Sequence, residues 1–473
     1  MYGVNFIDLY SVLRTEYSFL RKQIQRRDKL AVFSASRRHM FSCDLRPKAA
    51  VTRQEPSRSV GTMLRLAFRS ISRAQSTAKA VGPSPRFSAL EEERLPWYSH
   101  DQFYPVRIGE TLGAKYKVVG KLGYGANSTC WLCRDNSDSK FVAVKVCTRD
   151  SGKSPRLRRE LEFYHHVSSL KSQHPGQRFV RGLYGTFEIP GPSGQHLCFV
   201  HPPMHMTINE LQYINPARRL NQELLRLVLF NLLSALSFLH DEAKVTHADI
   251  NPSNIMLTLD DESLLMEFEQ AEASDPLPIK IIDNVRTIYT SRKLGLPKDS
   301  LWGQPALCDF GEARIGERHS GLIQPELYRA PEVLFNMGWD TSADIWNLAV
   351  LIWDLFENRH LFNAMDEDKK SSSTHHIAEM VSYIGLPPLK YIERSAVTKN
   401  VFDDNGQWKG AGGATIQSSS LEDMVTVLDG QAKERFLCFV RSMLKWQPET
   451  RKRASELLRD PWMKGSLTNS EAQ

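Results

Sequence analysis

Thr246–Met256 reads THADINPSNIM and Ala306–Arg314 reads ALCDFGEAR, and each follows an apolar run. The first stretch offers His247, Asp249 and Asn254 at short spacing, and the second adds Asp309. Phosphoryl transfer needs a carboxylate that can take a hydroxyl proton. It also needs an amide oxygen and a second carboxylate that can hold Mg²⁺, because positioning and charge neutralisation do most of the work in that reaction.

Upstream, KLGYGANSTCWL (Lys121–Leu132) sets Gly123 and Gly125 on a strand-turn-strand, where a backbone without Cβ can approach phosphate oxygens. A Gly-x-Gly turn alone is a common tight hairpin. In VAVKV, Lys145 sits mid-strand, either snorkelling at an edge or held by an anion and a carboxylate. The next segment, RLRRELEFYHHVSSLK, has helical spacing at Leu157, Leu161, Tyr164 and Val167 and offers Glu160 as partner, with Glu162 the less well placed choice. Downstream come ELYRAPEVL and ADIWNLAVLIW, in that order.

Five motifs in this order resemble a eukaryotic protein kinase over about Tyr116–Trp462. The resemblance implies an α+β, bilobal fold, with a small antiparallel β-rich N-lobe holding one helix and a larger, mainly helical C-lobe. It implies that Gly123, Gly125 and Ser128 cover the ATP phosphates, that Lys145 holds them while pairing with Glu160, and that Asp249 is the catalytic base. Asn254 and Asp309 would be the Mg²⁺ ligands, Glu332 would pair with Arg451, and Asp344 would brace the catalytic loop. The Pro202 carbonyl and the Met204 N–H would meet adenine, which puts His201 at the gatekeeper position. Within the kinases, YPVRIGETLGAKYKVVGKLGYGANSTCWL and the long insertion after the catalytic loop resemble the SR-protein kinases, especially divergent fungal ones. Members of that family phosphorylate serines in Arg-Ser repeats of splicing factors, so protein substrates of that kind are the implied partners.

Departures from the kinase pattern shape the expected activity. Ala248 stands where an arginine usually binds an activation-loop phosphate, and Ser320 is the sole hydroxyl residue between Gly311 and Tyr328. Activity independent of activation-loop phosphorylation is therefore expected, with Ser320→Ala silent. Asn251 replaces a lysine that would neutralise the transferring phosphoryl group, which predicts a slower enzyme with Asn251 still able to hydrogen-bond the hydroxyl. Cys130 stands over adenine for the usual valine, a swap of similar volume. The alternatives are a pseudokinase scaffold and a small-molecule phosphotransferase. YRAPE and Arg451 weigh against the second.

Composition supplies the boundaries. The chain has 473 residues and a net charge of +7, of which residues 1–90 carry +12, leaving −5 for 91–473. The reading is a basic extension over 1–92, an N-lobe with lead-in over 93–204, a C-lobe over 205–465 containing an insertion at 258–306, and a tail at 466–473. The charge split removes the nucleic-acid reading from the kinase domain. The extension reads as a disordered basic arm. A transit-peptide pattern around Leu64, Phe68 and Ile71 would serve a mitochondrial destination only if translation began at Met63. Seven scattered cysteines suggest reduced thiols in cytoplasm and nucleus, and no apolar run reaches 18 residues without interruption by Asn, Ser, His or Asp. A monomer is expected. Seven acids between Asp260 and Asp275 read either as a solvated face or as a patch attracting arginine-rich peptides, with the solvated face preferred.

Overall fold

The computed structural model describes residues 89–149, 155–297 and 301–465, so the readings of residues 1–88 and 466–473 lie outside it.

Alternating β-branched and aromatic residues broken by Gly and Asn-Ser-Asp give the expected antiparallel strands. They are β1 (Thr111–Leu112), β2 (Tyr116–Gly125), β3 (Ser128–Asp135), β4 (Phe141–Cys147), β5 (Gly185–Gly191) and β6 (Gly194–His201), in the sheet order β1-β2-β3-β4-β6-β5. The register slips twice in β2, beside Gly120 and beside Gly123, which twists the strand toward the glycine turn. In sequence RFVRGLYGTFEI reads as a strand from Arg178. Instead Pro175–Phe179 forms a 3₁₀ turn, begun by a proline and capped by the His174 ring accepting from the Gly176 N–H at 3.0 Å, and β5 begins at Gly185.

Helix α1 (Pro155–Leu170) buries Glu160, Phe163, Tyr164 and Val167, a face rotated slightly from the one expected. Leu157 and Leu161 pack at its margin. Then β7 (Met204–Thr207) leads through α2 (Ile208–Ile214) to α3 (Gln222–Ser237). The α3 segment to Glu242 is long and apolar enough to cross a membrane by length and composition, yet 83% of that window is buried, as suits a core helix. Strand β8 (Val245–Thr246) and β9 (Ile255–Leu259) flank the catalytic-loop motif.

The 258–306 insertion folds as α4 (Ser263–Ser274) and a hairpin, β10 (Ile279–Ile281) with β11 (Thr287–Tyr289), before β12 (Trp302–Leu307). The sequence reading placed it with the helical lobe, but its body packs on the N-lobe. Leu265 and Phe268 bury against Leu132, with Val119, Leu122 and Phe141 around them. Gly120 is needed there, since a Cβ would sit 2.8 Å from the Phe268 ring. Among its acids, Glu269 pairs with Arg134 of β3, Glu272 with Arg292 at 2.6 Å, and Asp261 accepts from the Ser263 hydroxyl at 2.6 Å. These pairs favour the bland reading of the acidic run.

Strand β13 (Arg314–Ile315) pairs with β8, while β12, β9 and β7 form a second small sheet. Helix α5 (Ser342–Phe356) is buried from Ala343 onward, which explains its apolar composition, and α6 (Ser373–Ile384) and α7 (Gly430–Arg441) complete the lobe. The lead-in begins earlier than residue 93, because Glu92 is buried against Lys121.

Candidate active site

Two short sheets place the carboxylates. β8 and β9 bracket Thr246–Met256, and β12 ends just before Asp309, so Asp249, Asn254 and Asp309 meet at one mouth. The Cys308 N–H donates to the Asn254 carbonyl at 2.8 Å, fastening one segment to the other. Ala248 and Asp309 both hold left-handed backbone, at φ 66° and 60°. Such strain costs about 1–3 kcal/mol per residue and survives only when neighbours fix it. Here the fully buried Asp344 carboxylate accepts from the His247 and Ala248 N–H groups at 2.7 and 2.9 Å. That is the bracing role expected of Asp344.

Around Asp249 the side chains converge. Asn254 Nδ2 donates to its carboxylate at 3.0 Å and Asn251 Nδ2 at 3.1 Å. Burial pushes the Asp249 carboxyl up and the Asp309 charge adds to this, against His247, Arg156 and the Asn254 hydrogen bond. Asp309 moves the other way: burial would raise it, but Lys145 and Arg156 hold it below the ordinary range.

Across the cleft Lys145 Nζ donates to both Glu160 oxygens, at 2.8 and 2.7 Å. Burial opposes its charge, and Glu160 and Asp309 more than restore it, leaving the ammonium strongly favoured. Glu162 is exposed, so the choice of Glu160 stands. An aromatic column ties this helix to the loop, with Phe163 stacked on Phe310 at 3.8 Å and His247 edge-on to Phe310 at 5.0 Å.

A cavity of about 190 Å³ runs between these groups, lined by Gly125, Ser128, Lys145, Arg156, Glu160 and Asp309 among others. Gly123 pairs with Cys130, and a Cβ there would meet nothing within 4 Å, so the space at the glycine turn is open. For Mg²⁺ the donor set fits. Among the described residues no three His, Cys, Asp or Glu side chains cluster as a metal cage, whereas a carboxylate and an amide oxygen that share a phosphate's ion are what Mg²⁺ takes.

The segment expected to face adenine is polar. His201 pairs in register with Ala143, while Lys145 pairs with Phe199. Its Nδ1 donates to the Gly182 carbonyl at 2.9 Å, its Nε2 is buried without a partner, and burial then Arg181 keep the ring neutral. Arg181 Nη2 donates to the Pro202 carbonyl at 3.4 Å. Met204, Ala306 and Cys308 pack together, with Met256 beside them. Sequence reasoning missed Arg181, Met256 and Arg156. Arg156 carried a signal, one helical turn before Glu160 on the same face.

The substrate-side motifs close as expected. Glu332 and Arg451 form a bidentate pair at 2.7 and 2.6 Å, wholly buried. Beside Ala248, the Gln324 N–H donates to the Ala248 carbonyl, while its side-chain amide donates to the Ala343 carbonyl and to Asn347 and accepts from the Ala330 N–H.

The protein kinase domain family matches residues 116–284 and 299–463. A serine/threonine protein kinase of Aspergillus fumigatus is 42% identical over 375 residues, covering 79% of this chain and 91% of that protein. The serine/threonine-protein kinase SRPK of Physarum polycephalum is 26% identical over 398 residues, covering 79% and 91%. A crystal structure of a kinase domain, 22% identical, superposes with a TM-score of 0.59 and covers 77% of this chain and all of the other, which bears on fold alone. The chain belongs to the protein kinase family. Within it, the chain is a serine/threonine kinase of the SR-protein-kinase-like group.

Proposed function

We propose that the protein transfers the γ-phosphoryl group of ATP to serines of Arg/Ser-rich proteins, splicing factors among them. Lys145, fixed by Glu160, binds the α- and β-phosphates, and the Gly123–Ser128 turn covers them. Asn254 and Asp309 would hold Mg²⁺, which would supply positive charge against the phosphates. Asp249 takes the serine proton, with Asn251 and Asn254 aiming its carboxylate. The Pro202 carbonyl and the Met204 N–H receive the adenine edge.

The observation that carries this reading is the closed Lys145–Glu160 pair lining one cavity with Asp309, while Asp249, held by Asn254, lies within reach of the same Arg156 guanidinium as Asp309. The Gln324 network supports activity without a phosphorylated activation loop, since it holds that segment where a phosphate would otherwise be needed. Relatives whose names specify SR-protein kinases support the substrate class. The unpaired cysteines among the described residues support a reducing compartment, cytoplasm and nucleus.

The test is full-length protein with labelled ATP and Mg²⁺, offered an Arg-Ser peptide and a generic basic protein. Transfer to the Arg-Ser peptide is expected, and Asp249→Asn should remove it. Equal transfer by that variant would overturn the reading.

A further inference from the structure

Asn251 leaves the transferring phosphoryl group without the cation that a lysine there would supply. Its amide instead donates to the Asp249 carbonyl and carboxylate at 3.2 and 3.1 Å. One guanidinium stands close enough to replace that charge. Arg156, in the first turn of α1, places Nη2 3.8 Å from Asp249 Oδ2 and 3.7 Å from Asp309 Oδ2. Both separations exceed hydrogen-bond length, so Nη2 is drawn to the carboxylates without being consumed by them. Its Nε lies 3.4 Å from Glu312, whose other oxygen is taken by Arg159 at 2.6 Å. The Arg156 side chain is 38% exposed and lines the same cavity as Lys145 and Asp309.

We propose that Arg156 is a catalytic residue that binds the γ-phosphoryl oxygens and supplies the charge missing at position 251. This rests on the assignment of Asp249 and Asp309 above. In the transfer, the bond from phosphorus to the β–γ bridging oxygen breaks. A bond from phosphorus to the serine oxygen forms, and the serine proton passes to Asp249. Negative charge spread over the phosphoryl oxygens in between is matched by the planar donors of Arg156, which suit phosphate geometry. Because Glu160 and Arg156 lie four residues apart on one helix face, α1 sets both cations of the cleft at once, Lys145 through Glu160 and Arg156 directly.

The experiment compares full-length wild type with Arg156→Ala, Arg156→Lys and Glu312→Gln, each checked for an unchanged thermal melt. Removing a positioned charge at a transition state is worth about 10²–10³ in kcat, and a fall of that order is expected for Arg156→Ala, with partial recovery in Arg156→Lys. The decisive readout is binding. Arg156→Ala should weaken ATP, in the presence of Mg²⁺, about tenfold, while leaving ADP affinity unchanged. Glu312→Gln should keep the wild-type ratio of ATP to ADP affinity. Unchanged or raised kcat in Arg156→Ala, or equal weakening of ATP and ADP, would overturn the proposal. An active Asp249→Asn protein would instead overturn the assignment beneath it.

Discussion

Two lysines on the N-lobe sheet make a useful contrast. Lys121, on β2, is wholly buried and meets Glu92 of the lead-in, while its Nζ also donates to the Tyr289 carbonyl of the insertion hairpin at 3.0 Å. Trp131 and Tyr124 lie under its charge at 5.9 and 5.4 Å. Lys145, on β4, meets Glu160 with equally good geometry but keeps 17% of its side chain exposed, beside an open cavity. Both are strand lysines paired with a carboxylate from a neighbouring segment. The difference is what else can reach them: Lys121 is saturated by protein, whereas Lys145 has a face left for an anion.

Breaking each pair should therefore give opposite signatures. Removing one partner of a buried ion pair leaves an uncompensated charge and costs about 3–5 kcal/mol. Lys121→Ala should show a loss of that size in denaturant unfolding, with the lead-in and insertion hairpin loosened together. Replacing the pair with Lys121→Met and Glu92→Leu should recover most of the loss, since apolar isosteres of buried pairs are often neutral or better. Lys145→Ala should instead cost about 2.7–4 kcal/mol in transition-state stabilisation, read as kcat, with a distinctly smaller change in unfolding than Lys121→Ala. Equal stability losses in the two variants would dissolve the contrast.

The contrast also marks what was legible. Lys145 stood out because VAVKV sets a charge inside an apolar strand and because HADINPSN and CDFG complete its chemistry downstream. Lys121 gave no such signal, since KLGYG puts it beside glycines at what resembles a solvent-facing turn. Its partners Glu92 and Tyr289 lie 29 and 168 residues away, so only the folded sheet brings them together. The insertion failed for the same reason. Its composition shows a run of acids, and the apolar residues of Leu264–Phe268 do not say which lobe will cover them. The N-lobe does, because Gly120 opens a seat for Phe268. Arg156 and Arg181 were overlooked because an arginine near a helix start or in a loop is ordinary, and only distance to the carboxylates or to the hinge distinguishes these two.

A third pair extends the contrast toward water, with the smallest effect. His360, 56% exposed, meets the buried Asp354 at 2.7 Å, and Tyr328 of the YRAPE segment donates to the other Asp354 oxygen. Both titrations move up, for different reasons. Burial raises Asp354 against the pull of His360, whereas the hydrogen bond that His360 donates to Asp354 raises His360 against its own burial. A histidine whose folded value lies above its unfolded one, here 6.5, stabilises fully below the unfolded value and loses that contribution as pH climbs through the folded one. The exposed ring limits the gain to about 0.2–1 kcal/mol. The stability difference between wild type and His360→Ala should thus be larger at about pH 5.5 than at about pH 8.5, measured by denaturant unfolding at each pH. Equal differences at the two pH values would mean that His360 acts by packing on Tyr328 rather than by charge, and exposure would then not be what ranks the three pairs.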